Sequence, residues 1–179
     1  LKIKVEKKFF FFNKKYINNS FLDNILACIA VLSILNLNLK IIEKQFLKFK
    51  TPEGRGDISI IKKFKCFFTL IDESYNANPL SMFLAIKNMH NYKIKNDSKK
   101  LVLLGDMLEL GGKSKKFHKE LSTVINKSDI DKVYVYGKYI KKTFISLLKN
   151  KQGKIFYSLK EAYIYFRKII NNNDLLMVK

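Results

Sequence analysis

After residue 56, short apolar runs alternate with longer stretches in which apolar residues recur every three or four positions. The short runs predict strands over residues 64–71, 101–104, 132–136, 154–157 and 175–178. The stretches between them predict helices that begin after Asn78, Ser114, Gly137 and Ser158, with Met82, Ile86 and Met89 on the inner face of the first. Apolar strands that alternate with helices of about ten to fifteen residues indicate a parallel sheet covered on both faces. We therefore expect residues 57–179 to form an α/β fold.

The first part of the chain has a different pattern. Residues 1–12 predict a strand or hairpin arm, and the segment 21–35 is apolar nearly all round, which predicts a buried helix. Its longest apolar run, from Ile25 to Leu35, is well short of the about 20 residues that a membrane-spanning helix needs. A second helix is predicted by the spacing of Leu39, Ile42, Phe46 and Phe49.

A proline and two glycines lie close together in the segment 51–56, T-P-E-G-R-G. This is the clearest breaker signal in the chain. It predicts a boundary between a first domain, residues 1–50, and a second, residues 51–179. Because the chain opens and closes on strand-like segments, we expect it to be a fragment of a longer protein.

The charge is strongly positive, with 35 lysine and arginine residues against 15 acidic ones and a net charge of +20. Such a charge usually suggests a nucleic acid or an anionic membrane as partner. However, only Arg55 and Arg167 are arginine, whose planar fork suits phosphates and base edges. The scattered lysines favour a compositional bias of an AT-rich genome. We expect no nucleic-acid partner and no membrane insertion, and the two cysteines favour a reducing cytoplasm.

Polar side chains cluster where two of the predicted strands end. The segment 72–79, D-E-S-Y-N-A-N-P, follows the first strand, and the segment 105–112, G-D-M-L-E-L-G-G, follows the second. In an open parallel sheet, ligands bind beyond the carboxyl ends of the strands. The pair Asn78-Pro79 alone would explain a helix start, but two acids and two amides exceed what capping needs. This favours a binding site.

Other candidate groups carry less information. Asp106 and Glu109 fit a site or a solvated loop equally well, and His118 is expected to be a partly exposed helical residue. His90 is expected to act as a favourable charge near a helix end. The sequence has no histidine and cysteine cluster for a metal and no G-x-x-x-x-G-K-[ST] loop for a triphosphate.

Three stretches in this order resemble the Mur ligase family. They are G-R-G at 54–56, L-I-D-E-S-Y-N-A-N-P at 70–79 with Ser81-Met82, and L-G-D-M-L-E-L-G at 104–111 with His118. The resemblance covers most of the chain. It implies that residues 51–179 are the Rossmann-like, mainly parallel C-terminal domain, and that residues 1–50 are the helical tail of the central ATPase domain.

On the nucleotide side, the resemblance implies three contacts. Asn24, in the string N-I-L-A-C-I-A, would contact the adenine, and Arg55 would reach the nucleotide across the hinge. Either Asp72 or Glu73 would hold the ribose. The histidine and asparagine of the family pattern just before Asn24 fall on Ser20 and Phe21.

On the other side of the cleft, the resemblance implies that Asn76 and Asn78 line the D-alanyl-D-alanine site together with Asp106 and Glu109. It assigns no catalytic residue and no metal ligand to this chain. The family's K-G-S motif, which follows the last strand, stops here at Lys179.

The resemblance implies an ATP-driven amide synthesis in the bacterial cytoplasm, in peptidoglycan precursor synthesis. The carboxylate of UDP-N-acetylmuramoyl-tripeptide takes the γ-phosphoryl group, and the amine of D-alanyl-D-alanine attacks the acyl phosphate. ATP and Mg²⁺ would be bound mainly by parts of the family's proteins that this chain lacks, so the chain alone would be inactive and the full-length protein a monomer. The alternatives are another Mur-type amino-acid ligase, a lysine-rich nucleic-acid-binding module and a non-catalytic Rossmann-like domain.

Overall fold

The computed structural model describes residues 2–5, 8–11, 22–38 and 52–179. The chain divides into two compact units, residues 1–50 and 51–179. The predicted second helix, over Leu39 to Phe49, lies outside the described residues, as do the polar residues that precede Phe21.

The first unit contains an antiparallel hairpin and one helix among its described residues. Strands β1 (Lys2–Val5) and β2 (Lys8–Phe11) pair along their whole length, as predicted for a hairpin arm. Helix α1 spans Leu22–Ile34. The prediction that it is buried all round is wrong: Ile25 and Ile29 are buried, whereas Leu26, Val31 and Ile34 are exposed. Burial on every side needs neighbouring elements on every side, and within the described part of this unit only the hairpin accompanies α1.

The second unit is built on one six-stranded sheet. Its strands are β3 (Asp57–Lys63), β4 (Cys66–Asp72), β5 (Lys100–Leu104), β6 (Lys132–Tyr136), β7 (Gln152–Phe156) and β8 (Leu175–Val178). The spatial order is β3-β4-β8-β5-β6-β7. Only β3 is antiparallel to its neighbour, and the other four pairings are parallel. The predicted mainly parallel sheet is therefore confirmed.

The antiparallel edge was missed by the sequence prediction. The predicted strand 64–71 begins only at Cys66, because Phe64 and Lys65 form a two-residue turn with φ of 58° and 64°. Positive φ at both positions is what a tight hairpin turn of this twist requires, and it is usually supplied by glycine or asparagine. Here the turn is kept by packing: the Phe64 ring contacts Phe68 and Tyr163.

Four helices cover the sheet: α2 (Pro79–Asn91), α3 (Ser114–Asn126), α4 (Lys141–Ile145) and α5 (Leu159–Ile169). The caps predicted at Asn78 and Ser158 are confirmed by their side-chain hydrogen bonds. Ser114, by contrast, is the first residue of α3 and not its cap, because a 3-10 turn over Gly111–Lys113 leads directly into the helix. The helix predicted from Gly137 to Leu148 shortens to five residues.

Strand residues alternate between two apolar layers. Val102, Leu104 and Met177 face α2 and α3, where Met82, Ile86 and Met89 are fully buried as predicted. Leu101 and Leu176 face the opposite layer, which α5 completes. A period of two along the strands places successive side chains on opposite faces of the sheet. Helices cover both of these faces, so a ligand can reach the sheet at the loops that follow the strand ends.

Candidate active site at the carboxyl edge of the sheet

The carboxyl ends of β4, β8, β5 and β6 lie side by side, and main-chain hydrogen bonds join the segments that follow them. Glu73 N–H donates to Val178 O at 2.9 Å, and Gly105 N–H donates to Lys179 O at 2.6 Å. Between the ends of β5 and β6, Lys138 N–H donates to the Asp106 carboxylate. The two polar segments of the sequence therefore meet at one edge of the sheet, as predicted.

Lys179 anchors the loop that follows β4. Its side chain is 2% exposed, and its ammonium donates to Asn76 O at 3.1 Å and to Glu73 O at 3.4 Å. The Glu73 carboxylate lies 3.4 Å away. A buried ammonium needs such acceptors because an unpaired buried charge is very costly. The sequence pattern places Lys179 at the end of the last predicted strand but does not predict these contacts.

The two acids after β4 have different environments. Asp72 Oδ1 accepts from Ser74 N–H at 3.0 Å and from Ser74 Oγ at 2.6 Å, which closes a local turn. Glu73 Oε2 faces Lys179, and the carboxyl group is partly exposed. Each acid keeps one carboxylate oxygen outside the hydrogen bonds found among the described residues. Which of the two holds a ribose stays a prediction.

Arg55 lies in a segment that is docked onto the loop after β4. Gly56 N–H donates to Asp72 O at 2.7 Å, and Tyr75 N–H donates to Gly54 O at 3.0 Å. Gly54 has φ of 75°, and a Cβ there would lie 3.0 Å from the Tyr75 nitrogen, so this close approach requires glycine. The guanidinium carbon of Arg55 lies over the face of the Tyr75 ring. The G-R-G string thus carries an arginine to the same edge as the two acids.

Asn78 acts as the N-cap of α2. Its Oδ1 accepts from Ser81 N–H at 2.8 Å, and Ser81 Oγ accepts from Asn78 N–H at 3.0 Å. Capping uses the side-chain oxygen, so the amide NH₂ of Asn78 is the group left for a ligand. Asn76 is exposed, and its carbonyl oxygen is held by Lys179. Both amides flank the start of α2, and their contact with a dipeptide stays a prediction.

Asp106 is not the solvated charge that the sequence allowed as one alternative, and its contact with a dipeptide stays a prediction. Its Oδ2 accepts from Lys138 N–H at 2.8 Å, and its Oδ1 accepts from Tyr139 N–H at 2.9 Å and Ile140 N–H at 2.7 Å. Both carboxylate oxygens therefore bind the main chain that follows β6. These three N–H groups belong to residues 138–140, which lead into the short helix α4 without a side-chain cap, so the helix predicted after Gly137 begins only at Lys141.

Glu109 stands at the tip of the loop after β5. It is exposed and has φ of 60°, in the left-handed region. Side chains with a Cβ pay a conformational cost there of about 1–2 kcal/mol. A glutamate held in this conformation at the rim of a site is an observation that favours a functional side chain.

His118 was expected to be partly exposed, and that expectation is wrong. The side chain is fully buried. Its Nε2 accepts from Met107 N–H at 3.1 Å, and Nδ1–H donates to Ser114 O at 2.8 Å. The tautomer follows from this pair of contacts. His118 thus holds the residue next to Asp106. The helical spacing of His118, Leu121, Ser122 and Ile125 would have placed it on the buried face.

Asn24 lies in the other compact unit, exposed on α1, and its contact with adenine stays a prediction. Within the described residues, no group of three or more histidine, cysteine or acidic residues is placed to hold a metal ion. No helix in the same part of the chain is both long and apolar enough to cross a membrane.

Residues 60–179 match the family model described as Mur ligase, glutamate ligase domain. The chain therefore belongs to the Mur ligase family, and its second unit has the fold of that family's C-terminal domain.

Two curated relatives have the same more particular name, UDP-N-acetylmuramoyl-tripeptide–D-alanyl-D-alanine ligase. The one from Rickettsia prowazekii is 29% identical over 177 residues, covering 92% of this chain and 38% of the relative. The one from Buchnera aphidicola subsp. Baizongia pistaciae is 31% identical over 157 residues, covering 88% of this chain and 32% of the relative. The chain thus spans 32–38% of the length of these relatives.

A solved structure is also similar to this chain. The crystal structure of MurF ligase from Thermotoga maritima in complex with ADP superposes with a TM-score of 0.73 at 25% identity, covering 92% of this chain and 35% of that one. The predicted fold class is confirmed by this likeness.

Proposed function

We propose that this chain is the C-terminal part of an ATP-dependent ligase that joins D-alanyl-D-alanine to UDP-N-acetylmuramoyl-tripeptide. The observation that carries the proposal is the meeting of the segments 72–79 and 104–111 at one sheet edge through Lys179. The relatives named above support the choice of substrates, and the ADP complex of the Thermotoga maritima protein supports the nucleotide.

The chemistry requires two steps that must be shielded from water. A terminal carboxylate oxygen of the tripeptide attacks the γ-phosphorus, and ADP leaves. The neutral amine of the dipeptide then attacks the acyl carbon, and phosphate leaves as the amide forms. An acyl phosphate hydrolyses in water, so a wall that closes over it and positions the amine favours amide formation.

In this proposal, the edge of the sheet forms such a wall. Arg55 provides a guanidinium for phosphate oxygens, and Asp72 or Glu73 provides a carboxylate for the ribose hydroxyls. Asn76, Asn78 and Glu109 face the dipeptide. The described residues do not fit a Mg²⁺ site, so we assign no step to a metal held by this chain.

The chain has no phosphate-binding loop of the G-x-x-x-x-G-K-[ST] type. By itself it should neither hydrolyse ATP nor form an amide. In the full-length protein, we expect ADP release to require UDP-N-acetylmuramoyl-tripeptide and D-alanyl-D-alanine together.

The test is to measure ADP formation with each substrate omitted in turn, and with single amino acids, including D-glutamate, in place of the dipeptide. Activity only with D-alanyl-D-alanine supports the proposal. Activity only with a single amino acid indicates another Mur-type ligase, and none at all favours a non-catalytic domain. A nucleic-acid-binding module would instead show affinity for DNA or RNA that falls steeply with added salt.

A further inference from the structure

One carboxylate binds two loops of the candidate site together, and we call this set of hydrogen bonds the lock. Asp106 follows β5, and the three N–H groups that it binds belong to Lys138, Tyr139 and Ile140, which follow β6. Hydrogen bonds to an ionised acceptor are the stronger ones in proteins. The position of the loop 137–140 is therefore set by Asp106.

Gly137 makes the lock possible. Its φ is 147°, and a Cβ built on it would lie 2.5 Å from Asp106 Oδ1. Because that distance is far below a normal contact, any other residue would push the loop away from the carboxylate. The close approach of the two loops therefore requires both the Asp106 carboxylate and a glycine at position 137.

His118 and Thr143 stabilise the lock through hydrogen bonds in the core. His118 Nε2 fixes the main chain of Met107, and Thr143 of α4 donates its hydroxyl to His118 O. Both side chains are fully buried. The loop after β5, helix α3 and helix α4 are therefore joined in one closed set of hydrogen bonds, with the exposed Leu108–Glu109 tip on one side and the exposed Lys138–Tyr139 pair on the other.

We propose that Asp106 is a positioning residue for the dipeptide. It holds the Lys138–Tyr139 pair and the Glu109 tip at the spacing that D-alanyl-D-alanine needs, and it does not touch the dipeptide itself. This inference rests on the proposed function. It differs from the expectation that the Asp106 carboxylate lines the substrate site, because both of its oxygens are engaged by the main chain of residues 138–140.

We assign the loop 137–140 to the dipeptide side of the sheet edge because the candidate nucleotide residues lie at the other side. Arg55, Asp72 and Glu73 gather at the β4 and β8 ends, whereas Asp106 and Gly137 stand at the β5 and β6 ends. A displaced loop 137–140 should therefore affect the dipeptide and leave the nucleotide contacts unchanged.

Asp174 offers a matched control. It is 1% exposed, and its carboxylate accepts main-chain N–H groups from Lys99 at 2.8 Å and Asn171 at 2.9 Å. It does so just before β8 begins, at the opposite end of the sheet from Asp106. Asp174→Asn thus removes the same kind of interaction without reaching the site.

The first measurement is amide hydrogen exchange. In Asp106→Asn, the amides of Lys138, Tyr139 and Ile140 should exchange about tenfold faster or more, as the loss of hydrogen bonds to a charged acceptor implies. In Asp174→Asn, the fast amides should be those of Lys99 and Asn171. Unchanged exchange at 138–140 in Asp106→Asn overturns the lock.

The second measurement is steady-state kinetics of the full-length protein. Asp106→Asn should raise KM for D-alanyl-D-alanine at least fivefold and leave KM for ATP within twofold, and Gly137→Ala should reproduce this split with Asp106 intact. Asp174→Asn should change neither KM. Equal rises in both KM values, or a rise shared by Asp174→Asn, overturn the positioning role. If the unmodified protein shows no dipeptide-dependent ADP formation, the proposed function fails, and the dipeptide role with it, while the exchange data still decide the lock.

Discussion

The guanidinium carbon of Arg55 lies 3.9 Å from the centre of the Tyr75 ring. A cation–π contact of this kind engages the guanidinium through the ring face, and no hydrogen bond to its N–H donors is found among the described residues. The main chain links the same two segments, since Tyr75 N–H donates to Gly54 O. Tyr75, which the sequence pattern did not single out, therefore restrains the arginine that the proposed function assigns to the nucleotide.

Arg55→Lys keeps the charge and loses the fork and the stacking plane. We expect turnover of the full-length ligase to fall at least tenfold, about 1.4 kcal/mol of transition-state stabilisation. Arg167→Lys, which changes the only other arginine, is the control and should have full activity. Unchanged turnover in Arg55→Lys would mean that Arg55 is only a residue of the interdomain segment.

Tyr75→Phe and Tyr75→Ala separate the ring from the hydroxyl. Because a partly exposed cation–π contact contributes about 0.5–1 kcal/mol, Tyr75→Ala should raise KM for ATP about two- to fivefold. Tyr75→Phe keeps the ring and should behave like the unmodified protein. A Phe variant as impaired as the Ala variant would show that the hydroxyl matters and the stacking does not.

The core of the second unit could be predicted from sequence because every central strand is apolar along its length. Met82, Ile86 and Met89 were placed inside by helical spacing alone, and the last strand was predicted at its observed bounds. The hairpin at Phe64-Lys65 could not be predicted in this way. Its turn has none of the usual turn residues, and side chains distant in sequence decide its conformation.

The site was predicted only as a location. The sheet-edge rule predicted that the two polar segments lie at one edge, but the contacts of each polar group depend on partners more than 30 positions away in the chain. Asp106 binds the loop after β6, and Lys179 binds the loop after β4. No local pattern contains such pairings, whereas the cap at Asn78 is local and was predicted.

Glu109→Gly separates the conformation of the loop tip from its side chain. Relief of about 1–2 kcal/mol of left-handed strain should outweigh the about 0.4–1 kcal/mol entropy cost of glycine. The free energy of unfolding in urea should therefore stay equal or rise slightly, while dipeptide-dependent turnover falls severalfold.

Asp97→Gly is the control for Glu109→Gly, since Asp97 has φ of 69° in the loop before β5, away from the site. It should show a stability change no larger than that of Glu109→Gly, because aspartate tolerates the left-handed region better than glutamate, and it should have full turnover. If Glu109→Gly is also fully active, the glutamate has no function beyond its place in the loop.

The far end of the sheet should give the fold a dependence on acid. Burial alone would raise the pKa of Asp129, but hydrogen bonds and charges from Lys100 and His90 outweigh it and lower that pKa below its usual value of 3.8. A lowered native pKa adds stability that is present above the usual pKa and is lost as the pH falls through the native one.

Asp129→Asn should thus destabilise the fold at about pH 6 by about 1–2 kcal/mol, a range that allows for the half-exposed carboxylate. The difference should shrink as the pH falls below the usual carboxyl pKa of 3.8 and vanish below the lowered native pKa. Urea unfolding of both proteins across this range is the measurement. A difference that stays constant down to the lowest pH would contradict the assignment of the ion pair to Lys100 and Asp129.

Helix α1 has apolar side chains on its exposed surface, which sets an expectation for the solution behaviour of the chain. Leu26 is 41% exposed, Val31 54% and Ile34 79%. Exposed apolar side chains of this kind favour association, and the charge of +20 opposes it only within about 10 Å at 0.1 M salt. We therefore expect residues 1–179 to self-associate at moderate salt.

Residues 51–179, which form a compact unit with their own core, should be monomeric and unfold cooperatively. Sedimentation velocity of both chains at matched salt is the measurement, and a monomeric long chain beside an unfolded short one would show that residues 1–50 belong to the same core.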